Sequence, residues 1–297
     1  MSPTALAARR NRTVFVAMLA ALAANVLCTS ARADLRGDYL FENDLTSSAG
    51  TLPPMTPIGS GQATFHPEVI AGSEDIVYEF PTDNGLEITP LTGMSRNAYS
   101  IVMTVRLDHV TGYNRLIDFK GGTSDCGLYV HDGAPEVKCG ETGIESICAN
   151  TWVQIVVTRA RNDTFKVWVN ARPVLAYFDD TDNATLTADS LRFFRDNDCV
   201  APPCGEESGG AVARITIYDT VVGANFIEDL IDQQCGDLNS SGTITASDAL
   251  GALKAAVGSG CCQIEFCDVA EPEGVKASDA LVILKAAVDQ EVELDCD

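Results

Sequence analysis

Tyr99-Ser100-Ile101-Val102-Met103-Thr104-Val105-Arg106-Leu107 is the stretch on which the fold turns. Ile101, Met103, Val105 and Leu107 fall at every second position, so an extended chain places all four on one face. The same period returns downstream. Val153, Ile155 and Val157, then Phe165, Val167 and Val169, then Ala213, Ile215 and Ile217 each form such a face. Turn formers separate the runs, as in Thr82-Asp83-Asn84-Gly85, Lys120-Gly121-Gly122 and His131-Asp132-Gly133. No long helical period intervenes between Asp34 and about residue 224, and each apolar sheet face must be buried on something, so the pattern predicts a mainly β, two-sheet sandwich over 34–224.

The period changes near residue 225. Phe226, Leu230 and Ile231 predict a short amphipathic linker helix over 225–234, and beyond it residues 237–257 and 268–288 are one unit written twice. Ala246-Ser247-Asp248-Ala249-Leu250 recurs as Ala277-Ser278-Asp279-Ala280-Leu281, and Leu253-Lys254-Ala255-Ala256-Val257 recurs as Leu284-Lys285-Ala286-Ala287-Val288. Leu250, Leu253 and Val257, and likewise Leu281, Leu284 and Val288, lie at helical spacing. Each copy therefore reads as a polar loop feeding an amphipathic helix, with the two leucine stripes expected to bury each other in a small domain over 235–297.

At the amino end, Arg9, Arg10 and Arg12 precede an apolar run from Val14 to Leu27 and then Ala31-Arg32-Ala33, a secretory signal with its small-x-small cleavage site. Residues 1–33 carry four arginines and no acid, so the mature chain keeps 16 of 20 basic residues against 42 acidic ones, a net charge of −26. That balance argues against nucleic acid, whose phosphates reward clustered Lys and Arg, and suits a solvated extracellular surface or one that collects divalent cations. No later segment approaches the ~18 apolar residues of a membrane span.

Eleven cysteines less Cys28 leave ten, an even number that suggests disulfides in an exported chain. Cys126 with Cys139 and Cys199 with Cys204 are plausible pairs. Five cysteines precede residue 230 and five follow it, so full pairing needs at least one bridge between the halves. Zinc at Cys261, Cys262 and Cys267 is the weaker alternative, for want of C-x-x-C spacing or a neighbouring histidine.

The first repeat opens with Asp237-Leu238-Asn239-Ser240-Ser241-Gly242-Thr243-Ile244 and reaches Asp248 at the twelfth position. Calcium takes six to eight oxygens, and this spacing offers them. Asp237, Asn239 and Ser241 stand at positions 1, 3 and 5, Gly242 allows the bend at 6, Thr243 supplies a carbonyl at 7, and Asp248 reaches back from the helix. The bland alternative is a polar turn with Asp248 near a helix N-terminus. In the second repeat Asp268 and Asp279 keep positions 1 and 12 and remain candidate ligands, but Ala270 and Pro272 stand at 3 and 5 and Gly274 has moved to 7. Glu271 or Glu273 are the available replacements; a degenerate loop held by packing and disulfides is the expected outcome.

Residues 235–297 resemble the type I dockerin family, whose EF-hand-like loop-helix repeats carry Asp at position 12. The resemblance implies a cohesin-binding face at Ala246-Ser247 and Ala277-Ser278 and a cohesin-like scaffold as partner, and the five cysteines and eroded second loop depart from that pattern. Residues 34–223 resemble laminin G-like, concanavalin A-like jelly-roll sandwiches of exported bacterial proteins. The resemblance rests on Tyr39-Leu40-Phe41-Glu42, Asn84-Gly85-Leu86, Tyr99-Ser100-Ile101-Val102, Ser124-Asp125 with Gly127-Leu128-Tyr129-Val130, Trp152-Val153-Gln154 and Val167-Trp168-Val169-Asn170. It implies a glycan or an extracellular protein as ligand, sometimes with calcium. Asp125 and Asp132 are candidates for that ion, with ordinary turn acids the simpler reading.

Some relatives of that fold hydrolyse or cleave polysaccharides, and such an enzyme is the alternative reading. Glu68, Glu74, Asp75 and Glu79 lack the E-x-D-x-x-E spacing, and His66, His109 and His131 stand near no G-x-S-x-G turn, so no catalytic residue is assigned. Trp152 and Trp168 are expected in the core, while Tyr113 and Tyr129 are the better aromatic candidates for a ligand face.

Overall fold

The computed structural model describes residues 34–187, 189–196, 205–230, 234–270 and 273–296. In chain order the strands are β1 (Leu35–Tyr39), β2 (Ser47–Gly50), β3 (Thr56–Gly59), β4 (Thr64–Ile70), β5 (Ser73–Phe80), β6 (Asn84–Ile88), β7 (Tyr99–Leu107), β8 (Tyr113–Asp118), β9 (Leu128–His131), β10 (Ala134–Val137), β11 (Val153–Arg159), β12 (Thr164–Val169), β13 (Arg172–Phe178), β14 (Leu191–Phe193) and β15 (Gly210–Tyr218). The helices are α1 (Ala224–Glu228), α2 (Ala246–Ala256), α3 (Ile264–Cys267) and α4 (Ala277–Ala286). Two antiparallel sheets face each other. One runs β13-β12-β11-β7-β15-β1-β2, with the β4–β5 hairpin joined to β15 through β5; the other runs β10-β9-β8-β14-β6-β3.

The alternating residues of β7, β11 and β12 point into the space between the sheets as their period dictates, and Ile101, Met103, Val105, Leu107, Ile155 and Phe165 are almost wholly buried there. Each such side chain contributes roughly 1.5–3 kcal/mol by leaving water. In β15 the expected face holds for Ile215 and Ile217 but not for Ala213. A bulge between Val212 and Arg214 shifts the register, so Val212 joins the inter-sheet core and Ala213 turns to the outer face.

That outer face is itself covered in places. Val102, Val156 and Trp168 lie under Ile227 of α1 and Leu230 just beyond it, and Trp152 packs with Ala211 against Val77 of the β4–β5 hairpin. Both tryptophans are buried, but in these satellite clusters rather than between the sheets. The linker helix buries Ile227 where the sequence pointed to Phe226, which stays 37% exposed against Tyr218; Ile231 lies outside the described residues.

The repeat helices α2 and α4 pack together, yet the leucine stripes do not meet. Ala249, Ala252, Ala280 and Ile283 form the contact with Val269, Leu238, Ile244 and Leu294, while Leu250 and Leu281 are about half exposed, at 51% and 52%. The sequence holds two rival stripes one residue, about 100°, apart. The smaller one wins because alanines admit close approach of the helices and the loop residues Leu238 and Ile244 complete the cover.

Four disulfides join described residues: Cys126–Cys139, Cys148–Cys261, Cys235–Cys296 and Cys262–Cys267. The first is the expected near pair and the second is the expected bridge between the halves. Cys261, Cys262 and Cys267 are all oxidised, which overturns the zinc alternative. The Cys199–Cys204 pair lies outside the described residues. Such bridges persist in oxidising compartments. Among the described residues no helix is long and apolar enough to cross a membrane.

Candidate functional site

The first repeat loop closes around two buried carboxylates. Asp237 Oδ2 accepts from Gly242 N at 2.7 Å and its Oδ1 accepts from Ser241 N at 3.0 Å. Asp248 Oδ1 accepts from Leu238 N at 3.0 Å and Asn239 N at 3.2 Å, and its Oδ2 takes Thr245 N at 2.9 Å, the return half of a capping box at the start of α2. Asn239 Oδ1 accepts from Ser241 N at 3.0 Å, and Ser241 Oγ donates to the Thr243 carbonyl at 3.0 Å. Asp237, Asn239, Ser241, Thr243 and Asp248 are thus gathered in one tight loop. Gly242 sits at a φ of 80°, the left-handed conformation that the bend requires.

Burial, with the nearby Asp248 charge adding to it, pushes the Asp237 carboxyl above its ordinary value. Two acids drawn together out of water are the donor chemistry a hard divalent cation rewards, because the ion inverts that local penalty.

The second loop repeats the framework of the first. Asp279 Oδ1 accepts from Val269 N at 3.0 Å and Ala270 N at 2.9 Å, its Oδ2 accepts from Lys276 N at 2.7 Å, and Asp268 Oδ2 holds Gly274 N at 2.7 Å. Ala270 offers no side-chain oxygen, and the Lys276 ammonium donates to the Glu273 carbonyl. A lysine ammonium cannot accept, so α4 has only the Asp279 half of the capping box. Glu271 and Pro272 lie outside the described residues.

On the sandwich, Asp125 and Asp132 are not poised for an ion. Asp132 accepts from Gly112 N at 2.8 Å, a turn acid. Asp125, Asp196 and Glu206 do converge, but Arg115 reaches Asp125 and Asp196 at 2.9 Å each, and Lys138 reaches Asp125 at 2.8 Å and Glu206 at 2.6 Å. Two cationic side chains already bridge the trio. Tyr129 belongs to this network, its hydroxyl 2.8 Å from Asp125 Oδ1, and is fully buried, so it is no ligand face. Tyr113 is half-buried, stacked on His131 at 3.9 Å with the Lys138 ammonium 4.7 Å from its ring.

A site that strand periodicity did not suggest lies on the outer face of the larger sheet. The β4–β5 hairpin leaves β15 after Tyr78 and arches over it, enclosing a groove of about 760 Å³. Thr104, Gln154, Arg214, Thr216 and Tyr218 form its floor, Glu74 and Asp75 of the hairpin one wall, and Glu42 and Asn43 the other. Arg214 is oriented by Asp38, with Nε 2.8 Å from Oδ1 and Nη2 3.0 Å from Oδ2. Gln154 Nε2 donates to the Leu230 carbonyl at 3.0 Å, while its buried Oε1 has no partner. The hairpin is anchored opposite Asp75 by Glu68, which accepts from Arg106 Nη2 at 3.0 Å and Trp152 Nε1 at 3.1 Å. Burial alone would raise the Glu68 carboxyl, but bonds from His66, Arg106 and Trp152 hold it below its ordinary value. The only sequence signal for the groove was outward-facing polar residues at Thr104, Gln154 and Thr216 on strands whose inner faces are apolar.

No protein-family model and no curated protein sequence matches this chain. Among solved structures, domain 4 of the extracellular GH43 arabinanase AbnA from Geobacillus stearothermophilus, solved with arabinotriose, is similar at a TM-score of 0.54 and 18% identity, covering 67% of this chain and 98% of that one. A botulinum neurotoxin type C structure described by its interaction with two ganglioside molecules matches at 0.49 and 11%, and the receptor-binding domain of botulinum neurotoxin D at 0.49 and 10%; the match spans about half of each, 50% and 52%. The likeness to the arabinanase domain shows that the architecture is a recurrent two-sheet β-sandwich.

Proposed function

We propose that this chain is a secreted, calcium-binding, non-catalytic recognition protein whose sandwich holds a glycan in the outer-face groove. The observation that carries the reading is the groove floor. It offers donors in Arg214 and Thr104, and the hairpin wall beside it adds the acceptors Glu74 and Asp75, a mixture suited to the hydroxyls of a neutral sugar. The arabinotriose bound by the similar arabinanase domain supports the ligand class. In this reading the Asp237–Asp248 loop holds one calcium ion, through the Asp237, Asn239, Ser241 and Asp248 side chains and the Thr243 carbonyl. Calcium there supplies a positive centre that ties the loop together. The exposed Leu250, Leu253, Leu281 and Leu284, which line an apolar groove of about 340 Å³ across α2 and α4, give the tail a face for a cohesin-like scaffold.

Calorimetric titration of the oxidised chain with arabinotriose and with a panel of neutral oligosaccharides tests the groove. Binding by at least one sugar is expected, with Gln154→Ala and Arg214→Ala weakening it. A panel with no heat, or heat indifferent to both substitutions, refutes the site. Reducing-sugar release abolished by Glu74→Gln or Asp75→Asn would assign the groove to hydrolysis instead. Calcium titration should give one site, lost in Asp237→Ala.

A further inference from the structure

The tip of the β4–β5 hairpin touches the first repeat loop. Ala71 N donates to the Ser240 carbonyl at 2.9 Å, and the Gly72 and Gly242 backbones are packed so closely that a Cβ on Gly242 would lie 2.2 Å from Gly72 Cα. The two-residue turn has φ of 47° at Ala71 and 81° at Gly72, both left-handed. A turn of this kind favours Asn-Gly, and alanine at its first position bears a steric cost that asparagine would reduce. The contact with Ser240 helps hold it there.

The loop segment that receives the tip is placed by a proposed ligand. Asp237 holds the amides of Ser241 and Gly242, the residues that follow Ser240. Along its length the same hairpin presents Glu74 and Asp75 to the groove. One finger therefore connects the two proposed sites, held opposite Asp75 by Glu68 with Arg106 and Trp152, and at its tip by the loop.

We infer that cation binding in the Asp237–Asp248 loop and the shape of the sandwich groove are coupled through the Ala71–Gly72 tip, so that the calcium-loaded tail fixes the groove wall. The coupling rests on the calcium reading of the loop. It does not depend on which ligand enters the groove. With the loop loaded, Ser240 and Gly242 are fixed and the tip is held; with the loop empty, the tip is released and the wall beyond the Glu68–Asp75 pair, Glu74 first, loses its fixed place. By linkage, a ligand that grips the wall must tighten calcium in the loop.

Amide hydrogen exchange on the full oxidised chain, in EDTA and in excess calcium, with calorimetry of calcium on the same sample, tests this without a glycan. The Ala71 amide and the β4–β5 peptides beside it should exchange at least about tenfold more slowly with calcium, while the β7 and β11 core amides stay unchanged. Gly72→Asn keeps the left-handed turn accessible but sets its Cβ about 3.1 Å from Gly242 Cα, and should weaken calcium binding at least about fivefold. Calcium heat with identical hairpin exchange in both buffers overturns the coupling and leaves the loop reading standing. An absence of calcium heat overturns both, and unaltered affinity in Gly72→Asn overturns the role of the tip.

Discussion

Replacing Cys148 and Cys261 by serine opens the bridge that ties the tail to the sandwich, and its cost follows from the length of chain it closes. The two cysteines are 113 residues apart. The chain-entropy relation gives about 16 cal/mol/K for a loop of that size, or about 4.8 kcal/mol at 25 °C, an upper figure because Cys235–Cys296 still restricts part of the unfolded chain. What remains to hold the halves together is modest. Asn170 Nδ2 donates to Gln263 Oε1 at 2.7 Å, Gln154 Nε2 to the Leu230 carbonyl, and Ala71 N to the Ser240 carbonyl. At about 1 kcal/mol each, these bonds do not replace the bridge. Urea unfolding followed by tryptophan fluorescence and by helical circular dichroism is the assay, since Trp152 and Trp168 sit on the sandwich and α2 and α4 in the tail. The wild type should unfold in one transition by both probes, and the double variant should lose its helical signal at lower urea than its fluorescence. Coincident transitions with an unmoved midpoint in the variant would refute the argument.

Arg159 is fully buried and bonds Asp179 at 2.9 Å, Asp182 at 2.9 Å, Asp163 at 3.0 Å and the Asn97 carbonyl at 3.0 Å. Arg159→Met strands the equally buried Asp179 and should cost about 3–5 kcal/mol in urea unfolding. Ile283→Ala should cost about 2–5 kcal/mol, whereas Leu284→Ser, one residue on but exposed, should stay within about 0.5 kcal/mol; equal costs would restore the leucine stripe as the tail core. Burial by itself would raise Asp38, yet its bonds to Arg214, Thr216 and Ser48 outweigh it and hold the carboxyl below the ordinary 3.8. A depressed folded value means that stability is present above 3.8 and lost as pH falls through the lower folded value. Thermal midpoints should therefore drop on acidification in that window, and less steeply in Asp38→Asn.

What the sequence conveyed well was periodic and local. Strands with one buried face announced themselves because Ile101, Met103, Val105 and Leu107 obey a two-residue rule that no tertiary contact contradicts. The β15 face was misread at Ala213 because one extra residue, a bulge, inverts the alternation without leaving a local mark. The tail core was misread because Leu250 and Leu253 outrank Ala249 and Ala252 in hydrophobicity, whereas helix contact rewarded small size. The groove was invisible because it arises where β5 leaves β15, a decision taken between segments more than 130 residues apart.

The two repeat loops differ in a way the geometry makes intelligible. Both keep the acids at positions 1 and 12, and both use them alike: Asp248 and Asp279 each hold two amides at the loop entrance and one at the helix cap, while Asp237 and Asp268 each hold the glycine at the bend. These bonds shape the loop, and the acids at positions 1 and 12 are therefore common to both copies. Positions 3 and 5 are different. Asn239 and Ser241 add to the frame one amide bond, one carbonyl contact and the bond from Asn239 Nδ2 to Ser247 Oγ, and in the proposed calcium reading their oxygens complete the cation shell. The copy that retains them is the copy whose bend touches Gly72 of the sandwich. On the proposed calcium reading, the loop that meets the hairpin is the loop with a full ligand set, and the proposed coupling accounts for the divergence of two otherwise near-identical repeats at positions 3 and 5.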